Sequence, residues 1–273
     1  MERFSVLMSV YFKESPVSFD LSLQSNLVDQ TLRPDEFILV CDGELTPDLE
    51  TVIVKYQKQF PDVLRVYRKE NGGLGKALNF GLLKCRYPIV ARADSDDVSA
   101  PMRFETQMRF LDEHPEIGII SSYIDEFDTC WMTPLRIKTL PVAHEEIWRM
   151  AKIRNPLNHM AVMMRRDVVL NLGSYHHVPF VEDYDLWVRA LISGVKMANI
   201  PDVLVHARVG NGMAKRRSSR ESIKSWKVIN KQMLEGGMIG YVAYLRNMFL
   251  ITSFVLMPVG IKEFLFKNIL RRS

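Results

Sequence analysis

The stretch Pro88–Phe104, PIVARADSDDVSAPMRF, joins a short apolar run to three aspartates and then to the start of a helical pattern. Asp94, Asp96 and Asp97 fall within four positions, shortly after the apolar residues 89–91. Carboxylates held this close repel one another, which raises their pKa values and costs stability unless a cation neutralises them. Because Mg²⁺ and Mn²⁺ prefer carboxylate oxygens, the cluster predicts a divalent-metal site at the end of a buried strand.

The same aspartates have a simpler interpretation, since Asp and Ser are common N-caps of helices. Ser99 is better placed to cap the helix that the sequence predicts over Ala100–Glu113. That assignment leaves Asp94 and Asp96 for the metal, while Asp97 orients the turn into the helix. The metal interpretation is therefore favoured over the capping interpretation.

Apolar runs of strand length alternate with helical patterns on both sides of this stretch, through about residue 127. The predicted strands are Phe4–Phe12, Glu36–Gly43, Val63–Lys69, Tyr87–Ala93 and Glu116–Phe127. Such alternation is typical of an α/β fold whose mostly parallel sheet has right-handed crossovers and flanking helices. Because ligands bind beyond the carboxyl ends of such strands, polar residues at those ends are expected to converge at one edge.

Polar residues do follow the first three predicted strands as well. Tyr11 ends the first strand, and Asp42 ends the second. The loop after the third reads NGGLGKALNFG, residues 71–81, where glycines permit close backbone approach to a ligand and Lys76 is placed to meet a phosphate. The spacing matches neither a Walker A loop nor a dinucleotide fingerprint, so a plain flexible loop is an equally good interpretation.

The second half of the chain contributes three further polar segments. EDYD, residues 182–185, opens a predicted helix over Phe180–Gly194, where acids suit the helix dipole and one of them could act as a general base. NPLNH, residues 155–159, ends in a histidine, a residue that is more often structural than catalytic. His206 and Arg208, in a late strand, would favour binding of a diphosphate.

Composition limits the class of protein. The chain has 273 residues, 47% hydrophobic and 25% charged, which suits one large domain or two small ones. A net charge of +4 without interleaved basic and aromatic residues argues against a nucleic-acid partner. Three scattered cysteines and an N-terminus without a signal-peptide pattern favour a reduced, cytoplasmic location.

The end of the chain is apolar and then basic. Residues 249–261 are mostly apolar but contain Pro258, and a membrane-spanning helix needs about 20 apolar residues. The segment after Gly236 therefore predicts an anchor that lies on an anionic membrane surface, with a core helix as the alternative. The basic residues that would face the lipid are Lys262, Lys267, Arg271 and Arg272.

Six segments, taken in order, resemble family 2 glycosyltransferases of the GT-A fold, especially bacterial enzymes that build O-antigen and exopolysaccharide repeat units. They are SVLMSVYFKE, EFILVCDG, NGGLGKALNFG, ARADSDDVSAPMRFETQMRFL, NPLNHMAVMMRR and EDYDLWVRA, within about residues 3–210. The resemblance implies a nucleotide-binding sheet flanked by helices, with C-terminal amphipathic helices. Residues 1–127 would bind the nucleotide sugar, residues 128–235 would form the acceptor-binding and catalytic half, and residues 236–273 would associate with a membrane.

The resemblance also implies roles for individual residues. Asp94 and Asp96 match the motif that holds Mn²⁺ or Mg²⁺ on the diphosphate of the nucleotide sugar, and Asp183 matches the general base that deprotonates the acceptor hydroxyl. Nucleotide-sugar contacts are assigned to Ser9, Tyr11, Asp42, Lys76, Asn79, Asp94 and Arg208. Contacts with the acceptor or the donor sugar are assigned to Asn158, His159, Glu182 and Trp187.

Two positions depart from the family pattern. Cys41 stands where an aspartate often precedes Asp42, and the glycine-rich segment lacks the usual arginine, a cation that Lys76 could replace. The implied function is inverting, metal-dependent transfer of a hexose from a nucleotide sugar such as UDP-Gal, UDP-Glc or UDP-GlcNAc. The implied acceptor is a saccharide on undecaprenyl diphosphate, at the inner face of the bacterial inner membrane. Nucleotidyl transfer and a non-catalytic, membrane-associated assembly factor are the alternatives.

Overall fold

The protein, seen here in a computed structural model, is described over residues 2–209 and 220–257. The strands in these ranges are β1 Phe4–Val10, β2 Glu36–Asp42, β3 Leu64–Lys69, β4 Ile89–Ala93, β5 Val98–Ser99, β6 Ile117–Phe127, β7 Arg136–Lys138, β8 Met163–Arg165 and β9 Lys196–Arg208. The helices are α1 Pro16–Leu27, α2 Pro47–Gln59, α3 Leu74–Leu82, α4 Arg103–Glu113, α5 His144–Met150, α6 Arg166–Asn171, α7 Glu182–Ile192, α8 Arg220–Glu235 and α9 Tyr241–Leu256.

All nine strands join one sheet in the order β3-β2-β1-β4-β8-β6-β9-β5, with β7 paired to β6. The part β3-β2-β1-β4 is parallel throughout. Its strands are apolar at consecutive positions because both faces of the sheet are covered: Val6 and Leu7 of β1 belong to two different core clusters. The α/β class with flanking helices is confirmed.

Short antiparallel strands make the sheet mixed. β8 pairs antiparallel with both β4 and β6, and β5 pairs antiparallel with β9. The β5 pairing sets Val98 opposite His206, which brings the segment after β4 beside the end of β9. β8 starts only at Met163, because His159–Ala161 form a 3-10 turn.

The predicted capping of α4 by Ser99 is wrong. α4 begins at Arg103 after Met102 and has no side-chain cap. The Ser99 hydroxyl donates instead to Oδ1 of Asn26 at 2.8 Å and accepts from Nη1 of Arg103 at 2.9 Å. Ser99 lies in a strand, where its hydroxyl completes a buried network, so it is not available to the helix end.

The two C-terminal helices pack differently. Ile229 and Met233 of α8, with Met238 and Ile239 just after it, are buried in the same core cluster as α3 and α7. Helix α9 buries few of its side chains, and Asn247 is one of them. None of the helices in the described ranges combines the length and the apolarity needed to cross a membrane.

Candidate active site

Acidic side chains crowd together just beyond the end of β4. Burial, together with the negative charges of Asp94 and Glu14, raises the pKa of Asp96 to about 7. Burial and the charges of Asp94 and Asp96 raise the pKa of Asp97 well above its ordinary value. Ionising these carboxyls therefore costs free energy in the ligand-free protein, and a bound cation would relieve that cost.

Asp94 is held by a buried arginine. Arg92 is 2% exposed, and its guanidinium pairs with both carboxylate oxygens of Asp94. Nη2 of the equally buried Arg103 donates to the Arg92 carbonyl at 2.5 Å. Burial and the positive charge of Arg92 lower the pKa of Arg103 to about 9. Arg92, which is itself held by Arg103, therefore fixes the orientation of Asp94 from the buried side of the site.

The donor set fits a hard divalent cation. Asp94 and Asp96 would supply carboxylate oxygens, and the pKa of Asp96 is raised by burial and then by the negative charges of Asp94 and Glu14, a cost that a cation would relieve. Within the described ranges, no group of three His, Cys, Asp or Glu side chains is arranged to hold a metal alone. A Mg²⁺ or Mn²⁺ ion bound through one or two carboxylates and the phosphates of a substrate does not need such a group.

The end of β9 closes one side of the acidic segment. The backbone N–H of Arg208 donates to Oδ1 of Asp97 at 2.7 Å, and its Nε donates to the carbonyl of Asp96 at 3.3 Å. The guanidinium carbon lies 4.6 Å from the centroid of the Phe127 ring, which holds the side chain in place. The Arg208 guanidinium is therefore fixed beside the Asp96–Asp97 segment.

Next to Arg208 lies a pair that the sequence reasoning missed. Nδ1 of His206 contacts both carboxylate oxygens of Asp125, at 2.8 and 2.9 Å, and the ring of Trp131 lies 5.0 Å from the imidazole. These side chains meet because β6 and β9 run parallel with Asp125 opposite His206. No local pattern signals this pair, since it depends on the register of strands about 80 residues apart.

Asp42 shapes the glycine-rich loop. Its Oδ1 accepts from Nζ of Lys69 at 2.7 Å and from the Gly72 N–H at 2.9 Å, and its Oδ2 accepts from the Gly73 N–H at 2.9 Å. Gly73 has a φ of 87°, a left-handed conformation that favours glycine. The carboxylate thus holds the loop in the form that starts α3.

The other residues predicted to contact the nucleotide sugar lie along this edge. Ser9, opposite Val40 in β2, and Tyr11 are half-buried at the end of β1. Lys76 is exposed in the first turn of α3, and Asn79 is half-buried further along the helix. A cavity of about 970 Å³ opens beside the loop, with a lining that includes Phe12, Arg68 and Asn71.

Asp183 lies at the start of α7 with a fixed carboxylate. Its Oδ1 accepts from the Tyr184 N–H at 2.7 Å, and its Oδ2 accepts from Nδ2 of Asn155 at 2.5 Å. Helices α3 and α7 meet at Gly75, where an added Cβ would lie 2.8 Å from the His176 carbonyl oxygen and 3.3 Å from Cβ of Glu182. The glycine-rich segment and the EDYD segment, far apart in sequence, are therefore neighbours.

Three residues predicted to contact a sugar lie under the surface of the site. Trp187 is fully buried, and its ring lies 5.9 Å from that of His159. His159 Nε2 lies 3.0 Å from the Tyr175 hydroxyl, and burial with the positive charge of Arg92 keeps its pKa well below the ordinary value. Asn158 is 1% exposed and donates to the Ser122 carbonyl at 2.8 Å. The structure assigns these side chains to the layer that supports the site.

Comparison with known proteins finds glycosyltransferases that are similar to this chain along most of its length. The family model described as Glycosyl transferase family 2 matches residues 6–172. The amylovoran biosynthesis glycosyltransferase AmsE of Erwinia amylovora is 39% identical over 265 residues, covering 97% of this chain and 98% of that protein. The UDP-Gal:alpha-D-GlcNAc-diphosphoundecaprenol beta-1,3-galactosyltransferase of Escherichia coli is 33% identical over 270 residues, covering 99% of this chain and 97% of that protein.

Solved structures share the architecture. The crystal structure of S. aureus TarS 1-349 matches with a TM-score of 0.69 at 17% identity, covering 94% of this chain and 76% of that one. The mannosyltransferase PcManGT from Pyrobaculum calidifontis, in complex with GDP-Man and Mn2+, matches with a TM-score of 0.62 at 15% identity, covering 93% and 70%. These likenesses confirm the GT-A fold, and the sequence matches identify the family: the chain belongs to glycosyl transferase family 2.

Proposed function

We propose that this family 2 glycosyltransferase transfers a hexose, with inversion, from a UDP-sugar to a saccharide carried on undecaprenyl diphosphate. The donor would be UDP-Gal, UDP-Glc or UDP-GlcNAc, and the product would enter a bacterial O-antigen or exopolysaccharide. The observation that carries the proposal is the acidic segment after β4, where the buried Arg92 pairs with both carboxylate oxygens of Asp94 and Arg208 donates to the Asp96 carbonyl. A second carboxylate, Asp183, is fixed at the start of α7 by Asn155 and the Tyr184 N–H.

The relatives support the substrate classes. The Escherichia coli relative is named for a UDP-Gal donor and a GlcNAc acceptor on diphosphoundecaprenol, and AmsE is named for amylovoran biosynthesis. TarS 1-349 has been solved with UDP-GlcNAc. A nucleotidyl transferase is disfavoured by membership of the family, and a non-catalytic assembly factor is disfavoured because Asn155 fixes the Asp183 carboxylate in one orientation.

Asp183 is the proposed general base. Two hydrogen bonds fix its carboxylate, one from the Tyr184 N–H and one from Asn155, so an acceptor hydroxyl can give up its proton along a defined direction. The hydroxyl oxygen forms a bond to the anomeric carbon as the bond from that carbon to the diphosphate oxygen breaks. The proton passes to Asp183, and the nucleoside diphosphate leaves from the opposite face, which inverts the anomeric configuration.

The residues at the ends of β4 and β9 and the start of α3 would stabilise the negative charge on the leaving diphosphate. Asp94 and Asp96 would hold Mn²⁺ or Mg²⁺, which when bound would neutralise charge on the departing diphosphate. Arg208 stands beside these carboxylates, and Lys76 lies exposed at the start of α3. Cations in these positions favour the leaving group more as its charge grows, which is how electrostatic catalysis lowers a barrier.

A lipid-linked acceptor places the enzyme at a membrane, and α9 offers a surface for it. Apart from Arg246, its exposed side chains are large and apolar, and the buried Asn247 attaches the helix by polar contacts. The exposed members are Tyr241, Val242, Leu245, Phe249, Leu250 and Leu256. We infer peripheral binding at the cytoplasmic face of the bacterial inner membrane. Lys262, Lys267, Arg271 and Arg272 lie outside the described residues.

A donor and acceptor panel tests the proposal. Purified protein would be offered UDP-hexoses and GDP-mannose with Mn²⁺, Mg²⁺ or a chelator, together with sugar-diphosphate acceptors bearing an alkyl chain. We expect transfer from one UDP-hexose, loss of transfer with the chelator, and a product of inverted anomeric configuration. Pyrophosphate release from nucleoside triphosphates would point to nucleotidyl transfer, and absence of transfer from every donor would overturn the proposal.

A further inference from the structure

We propose that a cationic turn after α5, residues 151–155, binds the diphosphate of the acceptor through Lys152 and Arg154. The inference rests on the proposed function, because it concerns the lipid-linked acceptor of that reaction. The shared chemistry is a phosphate ester held close to a lipid surface. Neither residue belongs to any motif singled out in the sequence, and the assignment comes from where the fold places this turn.

The turn is fixed to the helix that carries the proposed base. The Ala151 carbonyl accepts from the Tyr184 hydroxyl at 2.6 Å, and Nδ2 of Asn155 donates to Oδ2 of Asp183 at 2.5 Å. Both ends of the turn are therefore tied to α7, within one residue of each other. Three residues of chain span at most roughly 10 Å, so the Lys152 backbone lies within that distance of Asn155 and hence close to the base.

The middle of the same turn is tied to the C-terminal helix. Nδ2 of Asn247 donates to the Lys152 carbonyl at 3.0 Å, and the same amide group contacts Oδ1 of Asn230 in α8 at 3.0 Å. Asn247 lies in α9, whose exposed side chains other than Arg246 are apolar. The turn thus stands between the proposed base on one side and the surface proposed to meet lipid on the other.

Its side chains suit an anionic ligand. Nζ of Lys152 lies 5.9 Å from the centroid of the Trp148 ring, which supports the ammonium from below, and Arg154 is exposed. Arg246, next to Asn247, is also exposed and donates to the neutral amide oxygen of that residue. Among the ion pairs formed within residues 2–209 and 220–257, none uses these three cations.

The order of groups on the protein matches the order of groups on the ligand. A lipid-linked acceptor presents a sugar hydroxyl, then a diphosphate, then hydrocarbon. The protein presents Asp183, then Lys152 and Arg154, then the apolar face of α9. Because guanidinium and ammonium groups form charge-assisted hydrogen bonds with phosphate oxygens, the turn would orient the sugar toward the base by holding the group next to it.

The experiment compares two acceptors on the double variant Lys152→Gln/Arg154→Gln. One acceptor is a sugar diphosphate with a short, water-soluble alkyl chain, and the other is the alkyl glycoside of the same sugar without the diphosphate. We expect KM for the diphosphate acceptor to rise roughly tenfold, as for loss of charge-assisted contacts at a partly exposed site. KM for the glycoside and for the donor should not change. Arg154→Gln alone, at an exposed position, should give a smaller rise in the same direction.

A binding measurement separates this inference from the proposed function. Fluorescence anisotropy of a labelled alkyl diphosphate, without donor, should show binding to the parent that weakens by a similar factor in the double variant. The matched control is Lys58→Gln/Arg65→Gln, which removes two exposed cations from α2 and β3 and should bind as the parent does. Equal binding by the parent and the Lys152/Arg154 variant overturns the inference, whereas a parent that binds but never transfers sugar overturns only the proposed function.

Vesicles separate the two sources of phosphate. If the double variant loses binding to phosphatidylglycerol vesicles but keeps the parent's KM and anisotropy, the turn binds lipid headgroups and the inference is overturned. Loss of anisotropy with unchanged vesicle binding supports the acceptor diphosphate as its ligand.

Discussion

Asp183→Asn tests the base at the scale of a single residue. The amide keeps the shape of the side chain but cannot accept a proton, and loss of general-base catalysis typically costs about 10²- to 10⁴-fold. We expect the rate of transfer to fall in that range while calorimetric binding of UDP with Mn²⁺ stays unchanged. A variant that transfers sugar as fast as the parent would remove Asp183 from the mechanism.

Asp96→Asn should separate stability from metal binding. Because burial, Asp94 and Glu14 raise the pKa of Asp96 to about 7, its charge at pH 8 destabilises the ligand-free protein. The neutral variant should unfold at a higher temperature at pH 8, by roughly 2–4 °C for each kcal/mol of repulsion removed. UDP with Mn²⁺ should raise Tm of the parent and of the control Asp62→Asn, but not of Asp96→Asn. An undiminished ligand shift in Asp96→Asn would argue against the metal assignment.

His159 gives the protein a specific dependence on pH. Burial and Arg92 keep its pKa well below the ordinary value, so below about pH 6.5 the unfolded chain binds a proton that the folded protein does not. The free energy of unfolding contributed by His159 should therefore decrease as pH falls, by at most about 1.4 kcal/mol per pH unit. The difference in unfolding free energy between the parent and His159→Gln, measured by urea titration from pH 7.5 to 5, should shrink toward acid. The raised pKa values of Asp96 and Asp97 act in the opposite direction, but both proteins share them.

At this scale the sequence predicted the residues that follow strands, because a strand end is visible as an apolar run that stops at a polar residue. Asp94, Asp96 and Asp42 were found in this way. It did not predict that Arg92 is buried. Arginine is rarely buried without a partner, and no pattern shows that Asp94, only two residues further along the chain, is that partner. Trp187 was assigned to a sugar by resemblance, whereas the structure buries it completely.

At the scale of elements, Gly75→Ala tests the contact between α3 and the loop before α7. The added Cβ would lie 2.8 Å from the His176 carbonyl oxygen, and backbone cannot move aside as a flexible side chain can. We expect a loss of about 1–3 kcal/mol in the free energy of unfolding and a lower rate of transfer, because the displaced loop leads into Asp183. Chemical unfolding and the transfer assay measure both.

The matched control is Gly240→Ala. Gly240 precedes α9 with a φ of −85°, and an added Cβ there would meet no atom within 4 Å. Weaker capping should cost several tenths of a kcal/mol, with no change in transfer. If both variants lost activity equally, the close approach at Gly75 would not be the cause.

The long, apolar elements could be predicted and the short ones could not. Strands such as β1 and β2 carry enough apolar residues for their type to be recognised, and the structure moves their ends by only a few residues. β5 has two residues and β8 has three, too few to form a pattern. They exist because neighbouring strands offer unpaired backbone groups, and the error at Ser99 followed from missing β5.

At the scale of the whole molecule, truncation after Gly240 tests the role of α9. The cut keeps α8, Met238 and Ile239 in the core, so the shortened protein should still unfold cooperatively, at a somewhat lower temperature. It should lose binding to vesicles of anionic phospholipid, measured by co-sedimentation. Full-length Phe249→Gln/Leu250→Gln, which keeps the helix but changes its exposed face, should bind more weakly than the parent. Undiminished binding by both proteins would exclude α9 as the membrane surface.

The sequence left two interpretations of the C-terminal segment, a membrane anchor or a core helix. Among the described residues, α8 packs in the core and α9 exposes apolar side chains. Hydropathy alone cannot separate them, because α8 and the residues after it contribute apolar side chains to the core while α9 turns such side chains outward. Helix α9 attaches to α8 partly through a polar contact, since Asn247 faces inward to hydrogen-bond Asn230, while several of its large apolar side chains are exposed.

The exposed apolar side chains of α9 have a consequence for the purified protein. Exposure of the apolar side chains of α9 to water costs free energy. That free energy is recovered only when another hydrocarbon surface covers these side chains. In a lipid-free solution the nearest such surface is a second molecule of the same protein, so light scattering should report particle sizes that grow with concentration. A non-ionic detergent below the level that unfolds proteins should restore a monodisperse sample, and crystals would be sought under that condition first.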